Sequence, residues 1–110
     1  MTFDEYQQKA KTTLLSTGDQ LLDVLHMALG ISGESGEVSE KLKKIIRDQK
    51  GDLARLDLDG VKKELGDVLW YLALMADLLG LSFQEIAELN IEKLASRKAR
   101  GKLGGSGDNR

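Results

Sequence analysis

A chain of 110 residues, 41% hydrophobic and 31% charged, suffices for one small domain with a thin core. It has no cysteine, so disulfides and thiolate metal sites are excluded, and its net charge of −2 with both signs intermixed offers no broad field for nucleic acid or an anionic membrane. The opening MTFDEYQQKA lacks the basic-then-apolar build of a signal peptide, and no apolar run approaches the ~18 residues of a membrane span. A cytoplasmic protein with no nucleic-acid and no membrane partner is expected.

Proline is absent and apolar residues recur at three- and four-residue steps almost throughout, which predicts an all-α fold. Thr2 with Glu5 forms a capping-box start for a first helix, and Gly18 followed by Asp19 reads as a stop and a new N-cap. A second helix is expected from about residue 20 to 48, running through GISGESGEVSEKLKK. Residues 49–59 break the period as a loop, with Asp59 placed to cap a third helix over about 60–79. Gly80 ends it, and Ser82 with Glu85, helped by a Leu81–Ile86 staple, starts a fourth helix over about 83–99. Residues 1–100 thus form one helical domain, and the glycine-rich tail 101–110 is by composition a flexible end.

The chemistry lies in two acid pairs. Helix three has the apolar stripe Val61, Leu65, Val68, Leu69, Leu72, Met75, Ala76 and Leu79, and Glu64, Asp67 and Tyr71 border it. In helix two Glu34 falls within the line Ile31, Val38, Leu42 and Ile45, with Glu37 at its edge. A carboxylate beside an apolar stripe is costly unless paired or bound to metal. Glu34/Glu37 and Glu64/Asp67 facing each other across an antiparallel helix pair would make an all-oxygen cluster suited to Mg²⁺, with Mn²⁺ as a substitute. The same acids also fit a solvated face on which Glu64 pairs with Lys62 or Lys63.

Three glycines, Gly30, Gly33 and Gly36, clear one face of helix two beside these acids and make room for another backbone or a bulky substrate. A break into two shorter helices is the plainer alternative. No Gly-Lys-Ser or Gly-Lys-Thr follows, so a phosphate-cradling loop of that kind is excluded. On helix four, Asn90, Lys93, Arg97 and Arg100 share one line, which fits either a nucleotide contact or simple dipole partners at a helix C-terminus. His26 reads as structural, since no second acid-histidine motif completes a di-iron bundle.

GESGEVSEKLKK followed by KKELGDVLWYLALMADLLGLS resembles the MazG-like branch of the all-α nucleoside triphosphate pyrophosphohydrolases, whose signature is ExxE, a spacer, then ExxD. The four positions match in order as Glu34, Glu37, Glu64 and Asp67. The resemblance implies a four-to-five-helix bundle completed by oligomerisation, as a homodimer or homotetramer. It also implies Mg²⁺-dependent hydrolysis of a nucleoside or deoxynucleoside triphosphate to the monophosphate and pyrophosphate. By that resemblance the four acids become metal ligands, with Glu37 also orienting or deprotonating the attacking water. NIEKLASRK is similar to the family's nucleotide-contacting segment, which puts Lys93 and Arg97 on phosphate and Asn90 on base or sugar. Tyr71 is a candidate to stack on the base, as is Trp70, although both also suit a core. The closing GSGDNR resembles the end of some members, which makes a lid the alternative to a loose end.

Helix three is apolar on nearly every side over 68–76, so contact with another subunit is expected. A different class of protein remains open at this point: a non-catalytic oligomerisation or nucleotide-sensing module with its acids in ion pairs. Specialised relatives such as a dimeric dUTPase or phosphoribosyl-ATP pyrophosphatase are closer alternatives.

Overall fold

The computed structural model describes all 110 residues and is entirely helical, with α1 Phe3–Lys11, α2 Gln20–Asp48, α3 Leu58–Leu78 and α4 Phe83–Ala99. A single 3-10 turn, Leu53–Arg55, interrupts the connection before α3. No single helix is long and apolar enough to cross a membrane.

The central unit is the antiparallel pair α2 and α3. Its register follows from contacts whose numbers run in opposite directions: Gln20 with Leu78, Met27 with Leu74, Gly30 with Tyr71, Lys41 with Asp57. The α2 helix is continuous through all three glycines, and Asp19 caps it by accepting from the Leu22 N–H at 3.0 Å. At 29 residues it is about 43 Å long, close to the full 45 Å extent of the chain. The radius of gyration, 17.0 Å, exceeds the about 13 Å of a compact domain of this length, so the single chain is an open, elongated body.

The α1 helix locks the corner between α3 and α4, where the chain bends by 106°. Gly80, at φ +72°, allows that bend, and the Leu81 N–H returns to the Ala76 carbonyl at 2.8 Å. The buried Gln7 then spans the corner: Nε2 donates to the carbonyls of Ala73 (3.2 Å) and Leu81 (3.0 Å), and Oε1 accepts from the Phe83 N–H (3.3 Å). Every polar atom of this amide side chain finds a partner, which is what its burial requires.

Four sequence expectations are corrected here. The first helix ends at Lys11 rather than at Gly18, because the Thr12 and Thr13 hydroxyls turn back to the Lys9 and Ala10 carbonyls at 2.7 Å each and close it early. Asp57, not Asp59, caps α3, accepting from the Gly60 N–H at 2.9 Å and starting the helix two residues sooner. The Ser82 hydroxyl accepts from the Glu85 N–H as expected, but the other half of the box is replaced by α1: Ser82 Oγ donates to Asp4 at 2.9 Å.

The largest correction concerns the core face of α3. Its buried residues are Ala73, Leu74 and Ala76, whereas Leu65, Leu72 and Leu79 are 54%, 41% and 50% exposed. The small side chains of Ala73 and Ala76 let α1 and Phe83 approach closely, so the packing follows the small residues and leaves the leucine line outside. Only 10 of 110 residues are buried, and the core splits into two clusters around Met27–Leu74 and Ala73–Phe83.

Candidate active site

The α2–α3 register places Glu34 opposite Glu64 and Asp67, and carboxylate oxygens of the three lie within 4.8 Å of one another. Three anions at that spacing repel, and the chain supplies one loose counter-charge, Lys41 Nζ at 3.7 Å from Glu64. Desolvation pushes the Glu34 carboxyl above its ordinary value, the hydrogen bond with Glu64 adds to this, and the charges of Asp67, Glu64 and Glu37 act the same way. Burial and the neighbouring acids thus both favour the neutral form of this carboxyl, and a bound cation would favour the carboxylate instead. The donor set is all carboxylate, which fits a hard divalent ion and excludes soft-metal chemistry.

Glu37 is exposed and stands outside the trio, one turn further along α2, although its charge is felt at Glu34. Tyr71 follows Asp67 by one turn and is part-buried against Gly30, where an added Cβ would overlap its ring. Thus Gly30 makes room for a side chain of this same chain, while Gly33 and Gly36 open onto free space on the acid-bearing helix. Trp70 donates its indole N–H to Thr13 Oγ1 at 2.8 Å and flanks the Met27–Leu74 cluster, which accounts for it as core. His26 sits edge-on to Tyr71 at 6.1 Å. Glu40 turns to Lys43 at 2.7 Å, away from the acids.

The basic line on α4 is arranged differently. Asn90 and Lys93 share a shallow depression of about 290 Å³ with Ile86 and Leu89. Arg97 is buried and faces the tail: Nη2 donates to Asp108 Oδ1 at 3.1 Å, and Lys93 Nζ reaches the same oxygen at 2.8 Å. The hydrogen bonds from Lys93 and Arg97 hold the Asp108 carboxyl below the usual carboxylate range. Residues 101–110 are folded around Arg110, whose guanidinium donates to the carbonyls of Lys102, Leu103, Gly104 and Gly107, while Arg100 Nη2 donates to the Arg110 carbonyl at 2.9 Å. Within one chain no hydrogen bond or ion pair joins this basic group to the acidic trio.

Three participants escaped the sequence reading. Lys41 lies on the Glu34 line, two turns on, and helical phase alone could have found it. Tyr6 lies close enough to Asp67 to feel its charge: burial raises the Tyr6 hydroxyl pKa first, and the Asp67 charge raises it further. Asp108, set in a glycine-rich tail, carried no periodic signal at all.

An all-α protein with a carboxylate cluster between antiparallel helices is a candidate metal-dependent hydrolase. Residues 22–101 match the profile of the MazG nucleotide pyrophosphohydrolase domain, and the chain belongs to that family. It is similar to the Gene 37 protein of Mycobacterium phage L5, with 40% identity over 114 aligned positions that cover the whole of both chains. No solved structure matches.

Proposed function

We propose that this chain hydrolyses nucleoside and deoxynucleoside triphosphates between the α- and β-phosphates, with Mg²⁺ as the working cofactor and Mn²⁺ as a substitute. The observation that carries the proposal is the trio Glu34, Glu64 and Asp67, three converging carboxylates whose only cationic neighbour, Lys41, is held at 3.7 Å from Glu64. These residues would hold the ion, which supplies charge neutralisation on the phosphates and a more acidic water.

Glu37, exposed one turn away, orients the attacking water and takes its proton as the oxygen adds to the α-phosphorus and the bond to the β-phosphate oxygen breaks. Lys93 provides positive charge for phosphate, and Asn90, beside it in the same depression, a polar contact for base or sugar. Arg97 joins them once Asp108 gives up its hold. Tyr71, part-buried behind the acids, closes the base side of the site.

The working form is a homodimer or homotetramer. The α3 leucine line, the thin core and the elongated shape all leave apolar surface that a second copy would cover, and a second copy can bring an α4 basic line to the acids. A solution mass equal to one chain would remove this part of the proposal. The protein acts in the cytoplasm on free nucleotides.

The test is hydrolysis of a panel of ribo- and deoxyribonucleoside triphosphates with Mg²⁺ and with a chelator, separating pyrophosphate from orthophosphate, alongside Glu37→Gln and Asp67→Asn. Pyrophosphate that needs the metal and vanishes in both variants is expected. A folded parent protein that turns over no triphosphate overturns the reading.

A further inference from the structure

Beside the acidic trio, between the last turns of α2 and the connection to α3, lies a cleft of about 310 Å³ lined by Lys41, Lys44 and Arg55 together with Asp48, Gln49 and Asp57. Counted by residue type the cleft is nearly balanced, but the acids are already engaged. Asp48 is paired through both oxygens with Arg47 at 2.8 Å, and Asp57 caps α3 through the Gly60 N–H at 2.9 Å.

The cations are held more loosely than these acids. Lys41 Nζ stands 3.8 Å from Asp57 and 3.7 Å from Glu64, too far for a hydrogen bond, although its side chain is only 24% exposed. Its three N–H donors therefore make only long ion-pair contacts, to Asp57 and Glu64, and no hydrogen bond within the chain. Lys44 makes no ion pair or hydrogen bond. Arg55 reaches Gln49 Oε1 at 3.3 Å and Asp52 at 3.6 Å, both long contacts that leave most of its planar fork free. The cleft thus presents more N–H donors than the chain itself satisfies at hydrogen-bond distance, as a site for a multiply charged oxyanion does.

Its position gives the ligand class. Lys41 lies on the same α2 line as Glu34, two turns or about 10 Å further on, and also borders Glu64. A phosphorus held at the acids would send the rest of a phosphate chain along this line into the cleft.

We infer that the cleft seats the β- and γ-phosphates of the substrate and then the pyrophosphate product, with Lys41 and Lys44 as point charges and Arg55 as a forked donor. The inference rests on the proposed reaction and adds to it the site of the leaving group. It separates the leaving diphosphate, held at the α2–α3 connection, from the nucleoside and its α-phosphate, which are left to Asn90 and Lys93 on α4.

The test is calorimetric titration of the full chain with inorganic pyrophosphate in Mg²⁺, and separately with a nucleoside monophosphate. Lys44→Gln and Arg55→Gln are the informative variants, because both side chains are exposed and neither packs the core. Each should weaken pyrophosphate binding about tenfold, the usual effect of losing one charge-assisted hydrogen bond. Monophosphate binding should be unchanged, and Lys9→Gln, which removes the same charge from α1, should alter neither. Pyrophosphate affinity that is equal in the parent and the Lys44→Gln/Arg55→Gln double variant, or that falls equally in Lys9→Gln, overturns the assignment. So does a parent protein that binds no pyrophosphate. A parent that binds pyrophosphate through these residues yet hydrolyses no triphosphate would keep the cleft as an oxyanion site and overturn the hydrolase reading instead.

Discussion

The acidic trio and the α4 basic line are two charged groups on one small chain, handled in opposite ways. Glu34, Glu64 and Asp67 converge within 4.8 Å with one distant lysine to offset them, whereas Lys93 and Arg97 converge on a carboxylate that the chain itself provides at 2.8 and 3.1 Å. The first group leaves most of its negative charge unpaired within the chain. The second already has an acceptor from its own chain, one carboxylate shared by two cations, and Arg97 is buried there with its Nε left without a partner. The difference teaches that a stripe of charge on a helix does not tell whether it waits for a ligand or anchors its own chain. That depends on which segment folds back onto it.

Breaking the acidic side should give the largest effect. Glu64→Gln removes an oxygen from the trio and should lower hydrolysis by at least about a hundredfold. Mg²⁺ should raise the melting temperature of the parent and not of this variant; full activity in the variant would dissolve the contrast between the two regions. On the basic side, Arg97→Met should release the tail and cost about 1–3 kcal/mol in denaturant unfolding, because a charged hydrogen-bonding hub is lost. Amide exchange over residues 102–110 would report that release directly, and a tail that stays protected would show that Arg110 alone holds it.

The glycines sharpen the comparison on the acidic side. Gly30→Ala drives a methyl into the Tyr71 ring and should destabilise the chain by about 1–3 kcal/mol. By contrast Gly33→Ala meets nothing within 4 Å and should raise stability by about 1 kcal/mol through helix propensity. If Gly33→Ala stabilises the protein while raising KM, the open space there belongs to substrate or to a second subunit.

The smallest effect comes from the proton on Glu34. Its carboxyl is raised above the ordinary value, so the folded chain holds the proton more strongly than the unfolded chain does. Between the ordinary and the raised value the native state therefore loses stability as pH rises. Without divalent metal, Glu34→Gln should melt slightly higher than the parent at neutral pH, and the advantage should fade below about pH 4. A variant that melts lower at neutral pH would mean that the Glu34 charge is stabilised by something other than the trio.

Helix class, the start of α2 and both ends of α4 are legible in the sequence because caps and the 3.6-residue period are local. So are the four acids of the ExxE and ExxD pairs, since spacing alone puts each pair on one face. What spacing does not contain is how deeply each face is covered. Glu34 and Glu37 are equivalent members of one motif, yet only Glu34 joins the trio, because the rotation of α2 against α3 is set by where Met27 and Leu74 pack and where Tyr71 fills the space over Gly30.

The sequence by itself determined an all-helical chain, the two carboxylate pairs and the family, all of which rest on residue type at short range. Only the tertiary structure decided that Leu65, Leu72 and Leu79 lie outside, that Lys41 stands between the acids and a cationic cleft, and that Asp108 occupies Lys93 and Arg97. These are long-range choices, made where close packing of small side chains and the pairing of buried charge compete for the same surface. No local pattern carries the outcome of that competition.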